Sequence, residues 1–474
     1  MPELGDLRDR ALHFIAIGGA GMSGLALACH AQGARVTGSD RSESTYLERL
    51  RAAGIEPRIG HDAAAVPADA DVVVSTAIAD DNVELLRARE RGQRVLHRGE
   101  LLAELAATKR LIAVSGAHGK TTTSGMLAHM LLAAGADPAF LLGGELPGAG
   151  AAGARSNSRW GAGAWIVAEA DESDGSFLEL RPEVAVVTNV ELDHHSHWGG
   201  EGELIGAFAR FASPAAALVR PAEPRLASLD GAGRVLSFAL GSAAALAAFD
   251  VRPAAGGSEF TVASESIGEI SARLGVPGRH NVANALAAIG ALIVARERDP
   301  DLPQLEALIE GLATFPGMAR RLEHKGRSAG GALIYDDYAH HPTEVAASLA
   351  ALRELPHDRL IALFQPHLYS RTKALASRFG RALAAADEVA VIDVYPAREQ
   401  PVGPLAGVSG LAVAEAAADA RPGRRVRWLA DIERAADALG PELREGDVLV
   451  TLGAGDVHRV GEALVSGEEA SRHG

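Results

Sequence analysis

The sequence predicts an α/β protein of three domains, each wound around a parallel sheet. Three observations predict it. Short apolar runs alternate with helical patterns along the chain, the mark of βα units and parallel sheets. The alternation restarts near Leu111 and again near Leu333. The first two rounds each open with a strand that runs straight into a glycine-bearing turn and a helix. The chain's 474 residues also exceed one ordinary core, since domains hold about 100–200 residues.

Taken in order, the first round covers residues 1–107, with strands expected at His13–Ile17, Arg35–Gly38 and Asp71–Ser75. The second covers 108–322, with strands from Leu111, at Trp165–Ala168 and at Val184–Thr188. The third covers 323–474, with strands from Leu333, at Leu360–Phe364, Glu388–Ile392 and Val448–Leu452. The stretch 143–163, rich in Gly, Ala and Ser, reads as a mobile loop.

Composition narrows the function. A net charge of −15 argues against nonspecific nucleic-acid binding, which needs a basic surface. An anionic substrate must therefore be held by local donors against the overall field. No apolar run approaches the roughly 18–20 residues needed to span a bilayer, so membrane insertion is not expected. The start, MPELGDLRDR, is charged and does not read as a secretory signal, so none is expected. A single cysteine, Cys29, allows no intrachain disulfide and suits a reducing cytosol. A cytoplasmic protein, monomeric or weakly dimeric, is expected.

The first glycine turn is Gly19-x-Gly21-x-x-Gly24, enclosing Met22 and Ser23, with Asp40 closing the next strand. Bare backbone there lets a pyrophosphate approach the amides of a helix N-terminus. Read alone, this is a dinucleotide site in which Asp40 binds a ribose hydroxyl. A nucleotide-sugar diphosphate satisfies the same physics, and a turn needing glycine only for packing is the plainer alternative.

The second turn is Gly116-Ala117-His118-Gly119-Lys120-Thr121-Thr122. It is a shortened phosphate loop, with two residues between its glycines where the general pattern has four. Its amides suit phosphate oxygens, Lys120 the β- and γ-phosphates, and the Thr121 hydroxyl Mg²⁺. A lysine at a helix start is otherwise disfavoured, because the dipole there repels cations. Lysine is also rare in this chain, occurring only at positions 109, 120, 325 and 373. Two acidic strand ends follow: Glu169, Asp171, Glu172 and Asp174, then Asn189, Glu191, Asp193, His194, His195 and His197. Carboxylate density without a nearby cysteine favours Mg²⁺ over zinc.

These features sit in the stretches IGGAGMSGLA, SGAHGKTTT, AEADESDGSF, TNVELDHH, PGRHNVANALAA, FPGMARRLE, DDYAHHPTE, FQPHLYSRT and TLGAGD. Together they resemble the Mur ligases, the ATP-dependent amide-forming enzymes of peptidoglycan synthesis, over essentially the whole chain. The resemblance implies a Rossmann-like N-terminal domain that binds the UDP of UDP-N-acetylmuramate. It implies a central P-loop ATPase-like domain and a Rossmann-like C-terminal domain that brings the incoming amino acid. ATP would convert the substrate carboxylate to an acyl phosphate, which an amine attacks. GGAGMSG, EADESDGSF, DDYAHHPTE and FQPHLYSRT point to the members that add L-alanine.

Residue by residue, the resemblance makes Lys120, His194, His340 and Arg371 the catalytic set. ATP would lie on residues Gly116 to Thr122, with Asn281 reading adenine and Arg320 or Arg321 reaching the nucleotide. Thr121, Glu169 and His194 would hold Mg²⁺. Tyr338 and His367, with His340 and Arg371, would surround L-alanine and the transferring phosphoryl group, and Gly19, Gly21, Met22, Ser23, Gly24 and Asp40 would bind the UDP-sugar. His340 or His341 would accept the amine proton. Leu368 departs from the pattern, standing where many members carry arginine; Ala339 and Ala117 also differ, without loss of a functional group. The absence of lysine between 121 and 324 removes the carbamylated lysine of sister ligases. Two other readings stay open: a recycling ligase that attaches a ready-made tripeptide, and a noncatalytic UDP-sugar-binding regulator.

Overall fold

A computed structural model describes residues 7–192, 198–230, 233–241, 244–397 and 399–467. His194, with Asp193, His195 and His197, lies outside the described residues. Two compact units emerge. One holds the chain up to Asp250 with Phe260–Leu274 and Val282–Pro316; the other holds Val251–Glu259, Gly275–Asn281 and everything from Gly317.

The first unit contains a five-stranded sheet and most of a ten-stranded one. Strands β1 (Ala11–Ile15), β2 (Arg35–Asp40), β3 (Arg58–Ile59), β4 (Asp71–Val74) and β5 (Val95–His97) form a parallel sheet ordered β3-β2-β1-β4-β5. Helices α1 (Ala20–Ala31), α2 (Thr45–Ala52), α3 (Val83–Glu90) and α4 (Arg98–Ala106) connect it. β1 ends sooner than its apolar run suggests, because Ala16 turns left-handed at φ 61° and Ile17 N–H bonds Ser39 O instead. Leu12, Phe14, Leu25, Leu47 and Leu101 are buried together beneath it.

The second sheet is built on β6 (Arg110–Ser115), β7 (Ala139–Leu146), β8 (Ser156–Arg159), β9 (Trp165–Glu169), β10 (Val184–Val187) and β11 (Ala217–Pro221). It continues through β12 (Arg234–Leu240), β13 (Leu246–Ala254), β14 (Gly257–Ser264) and β15 (Gly268–Leu274), in the order β15-β14-β13-β12-β11-β10-β6-β9-β7-β8. β6 lies between β10 and β9 and is parallel to both, so its carboxyl end is central. Helices α5 (Lys120–Ala133), α6 (Glu201–Ala212), α7 (Arg279–Arg298) and α8 (Leu305–Glu310) follow. Phe177 packs against Phe208 and Phe211, with ring centres 5.4 and 5.2 Å away; each such burial contributes about 1.5–3 kcal/mol.

The expected loop 143–163 is corrected in part. β7 runs on to Leu146 and β8 pairs with it antiparallel, so the sheet is mixed at this edge. Asn157 of β8 is buried and donates its amide to Ala20 O of α1 at 2.6 Å. A Cβ at Gly24 would lie 3.1 Å from that amide, a tight contact that glycine avoids. Tertiary docking overrides the loop-like composition.

The second unit carries a six-stranded sheet, β16 (Glu323–Arg327), β17 (Leu333–Asp337), β18 (Arg359–Phe364), β19 (Glu388–Ile392), β20 (Arg425–Leu429) and β21 (Asp447–Leu452). Its order is β16-β17-β21-β18-β19-β20, parallel except for β16. Helices α9 (Pro342–Arg353) and α10 (Tyr369–Leu383) start at the carboxyl ends of β17 and β18, where α/β sheets place their ligands.

Candidate active site

The loop after β6 is shaped by two left-handed glycines, Gly116 at φ 136° and Gly119 at φ 80°. A Cβ at Gly116 would lie 2.1 Å from Thr188 Oγ1, and one at Gly119 2.4 Å from Asn284 Oδ1, so only glycine fits either place. The strand end after β10 builds the other wall. His118 N–H donates to Asn189 Oδ1 at 3.0 Å, and His118 O accepts from Thr188 Oγ1 at 2.6 Å and Asn189 Nδ2 at 2.7 Å. Asn284 stands three residues after the predicted Asn281, and that helical spacing was the signal for it. Asn281 itself donates its amide to Pro277 O at 2.8 Å.

Lys120 is the first residue of α5. Its ammonium donates to Gly116 O at 2.6 Å and Glu172 Oε2 at 2.8 Å. Burial works against its charge, but Glu172, Asp171 and Glu169 outweigh it and raise the lysine's pKa. Burial pushes the Glu172 carboxyl up, while Lys120 pulls it back. Asp171 falls to about 2 despite burial, because Lys120 and Arg98 face it. A cation is thus held at the loop by the Glu172 carboxylate, with Asp171 and Glu169 adding to the field.

Thr121 is buried at the start of α5, and Glu169 closes β9 with Oε2 accepting from Gly143 N–H at 2.9 Å. Gly143 has no room for a side chain, since its Cβ would lie 2.4 Å from Glu169 Oε1. A hydroxyl at a helix start and a carboxylate at a strand end are oxygen donors of the kind that Mg²⁺ takes, so the chemistry of these residues fits the ion.

At the first glycine turn, Asp40 Oδ2 accepts from Gly18 N–H at 2.8 Å, bracing the loop. Gly19 caps α1, while Met22 and Ser23 are buried, Ser23 Oγ donating to Ala20 O at 3.1 Å. Both side chains are buried, and Ser23 N–H already donates to Gly19 O at 2.8 Å, so the turn would have to meet a ligand through its earlier amides. A Cβ at Gly21 would lie 3.1 Å from Arg98 Nη1. Arg98 also reaches Asp171 at 3.1 Å and Asp174 at 3.2 Å. Sequence reasoning missed Arg98, although a cation opening a helix is the same anomaly that marks Lys120.

The second unit gathers the remaining residues. Arg320 turns left-handed at φ 58° and binds Asp336 Oδ2 at 3.2 Å, Gly453 O at 2.8 Å and Gly455 O at 3.0 Å. Arg320 and Arg321 each lie 5.1 Å from the centre of the Tyr338 ring. His340 Nδ1 is 3.0 Å from Tyr338 O, its ring is 6.0 Å from that of His367, and Arg371 Nη1 is 3.5 Å from His367 Nδ1. Tyr395, unmarked in the sequence, stacks on His367 at 5.9 Å. His341 is the N-cap of α9, accepting from Thr343 N–H at 3.4 Å, which leaves His340 as the histidine facing this cluster. Leu368 caps α10 at φ 68°, with its N–H on Tyr395 O at 3.0 Å.

A buried lysine on a phosphate loop, acid-bearing strand ends and a cation-rich aromatic cluster define a nucleotide-using enzyme, and the family models agree. The Mur ligase family catalytic domain matches residues 11–110, the Mur ligase middle domain 114–292, and the Mur ligase glutamate ligase domain 320–455. The chain belongs to the Mur ligase family of ATP-dependent ligases. Among its relatives is the UDP-N-acetylmuramate–L-alanine ligase of Kineococcus radiotolerans, 47% identical over 96% of this chain and 95% of that one. The UDP-N-acetylmuramate–alanine ligase of Thermotoga maritima matches in structure with a TM-score of 0.82 at 28% identity, covering 98% of this chain and 100% of that one. A murein peptide ligase from Psychrobacter arcticus shares the fold, with a TM-score of 0.69 at 24% identity over 96% of this chain and 98% of that one.

Proposed function

We infer that the protein joins L-alanine to the carboxylate of UDP-N-acetylmuramate at the expense of ATP, yielding ADP and phosphate. The observation that carries this reading is Lys120, buried and charged at the mouth of a two-glycine phosphate loop, in a chain 47% identical to an L-alanine ligase. Segment 1–107 binds the UDP-sugar, 108–322 binds ATP, and 323–474 brings the amino acid. Lys120 meets the β- and γ-phosphates. Asn281 and Arg320 serve the nucleotide, Arg320 by leaving the carbonyls that now hold it.

Two anions, a carboxylate and a triphosphate, must meet, so the work is positioning and charge neutralisation. Mg²⁺ held by Thr121 and Glu169, with His194 as the further ligand the family pattern supplies, would neutralise phosphate charge. Tyr338, His367 and Arg371 orient the amino acid, and His340 takes the amine proton. The test is phosphate release from ATP with UDP-N-acetylmuramate, each amino acid in turn and the tripeptide. L-Alanine is expected to give the highest kcat/KM; release driven by the tripeptide and not by L-alanine would replace this reading with the recycling one.

A further inference from the structure

The six-stranded sheet carries a strained turn that the chemistry above leaves unexplained. β18 ends at Phe364, and α10 begins at Tyr369. Between them Leu368 takes φ 68° and ψ 134°, a conformation that strains any residue but glycine. The turn divides two residues of the amino-acid cluster. His367 precedes it and Arg371 follows in the first turn of α10, with Arg371 Nη1 3.5 Å from His367 Nδ1. A non-glycine residue keeps such a conformation only when its surroundings impose it. As N-cap, moreover, Leu368 offers the helix no side-chain acceptor.

The segment after β19 imposes it. Tyr395 N–H donates to Pro366 O at 2.8 Å, and Tyr395 O accepts from Leu368 N–H at 3.0 Å, so the Tyr395 backbone brackets the turn from both sides. The Tyr395 ring lies within 13° of parallel to that of His367. Gly455 leaves that ring its space, since a Cβ there would lie 2.6 Å from Tyr395 Cγ. Glu399 supplies the missing cap. Its Oε2 accepts from Ser370 N–H at 2.9 Å, and its Oε1 accepts from Ser370 Oγ. A carboxylate at a helix start also meets the positive end of the dipole. Further along, Lys373 Nζ donates to Pro404 O at 2.7 Å. Residues 400–404 are exposed, Val402 by 65%, so polar contacts rather than a core fasten this stretch to α10.

We propose that Glu399 is a positioning residue for amino-acid binding: by capping α10 from outside the helix it holds the Leu368 turn, and with it the bearing of His367 and Arg371 on each other. This rests on the reading that their cluster takes the incoming amino acid. Steady-state phosphate release by the full-length enzyme tests it, with L-alanine varied at saturating ATP and UDP-N-acetylmuramate. Glu399→Ala is expected to raise KM for L-alanine about three- to thirtyfold, the range that loss of a helix cap spans, because binding must first restore the turn. It lowers kcat less and leaves KM for ATP unchanged. Glu399→Gln, which keeps an acceptor for Ser370 N–H, recovers most of the loss. Leu368→Gly removes the strain that the cap holds in place, so adding Glu399→Ala to it raises KM by less than in the wild type. The proposal is overturned by a KM for L-alanine that Glu399→Ala leaves unmoved, whatever the melting temperature does. An equal rise in KM for ATP, or equal effects with and without Leu368→Gly, would also overturn it. A wild type whose phosphate release does not respond to L-alanine would overturn the amino-acid reading instead.

Discussion

Lys120 shows how a single residue carries chemistry and stability together. Its rarity and its place at a helix start made it conspicuous in the sequence; its partner did not stand out. Glu172 is one of four acids on a strand end, and only the fold shows that it, 52 positions away, accepts the lysine's hydrogen bond at 2.8 Å. Arg98 and Asp171 meet across 73 positions and were equally illegible, because strand order rather than spacing brings them together. The pairing sets a two-part prediction. Lys120→Ala strands a buried carboxylate, so it is expected to cost about 3–5 kcal/mol of stability and at least about 10²-fold in turnover. Adding Glu172→Gln returns most of the melting temperature and none of the turnover. A double variant with restored activity would remove Lys120 from the phosphate site.

At the scale of elements, periodicity did its work where strands are buried and failed where tertiary contact decides. β9, β18, β19 and β21 fall within a residue of their apolar runs, since both faces of these strands are covered. β8 was invisible because its four residues, Ser156–Arg159, are polar, and it is held by the edge of β7 and by Asn157 on α1. The start of α7 offers a pH test. Burial pushes His280 down to about 4, so the folded chain resists a proton that the unfolded chain accepts near its ordinary value of about 6.5. Stability is therefore whole above that ordinary value and drains away as pH falls toward 4. Thermal melting between these limits is expected to show a fall that His280→Gln reduces; identical profiles would mean that the imidazole charges without cost.

For the whole molecule, three rounds of βα alternation forecast three sheets, and the described residues form sheets of five, ten and six strands. The five-stranded sheet and most of the ten-stranded one nonetheless share one compact unit, while the six-stranded sheet belongs to the other with Val251–Glu259 and Gly275–Asn281. The chemistry distributes likewise. The groups proposed above for the UDP-sugar and the phosphates, Gly19 to Gly24 and Gly116 to Thr122, belong to the first unit, and the Tyr338, His340, His367 and Arg371 cluster belongs to the second. Such a division suits a reaction whose intermediate must be kept from water until the amine arrives. The central claim is that ATP activates the substrate carboxylate as an acyl phosphate before L-alanine attacks. UDP-N-acetylmuramate labelled with ¹⁸O in its carboxylate tests it directly by mass spectrometry of the released phosphate. One labelled oxygen is expected in phosphate for each amide bond formed, with ADP as the nucleotide product. Label retained entirely in the sugar product, or delivered to AMP, would contradict the account.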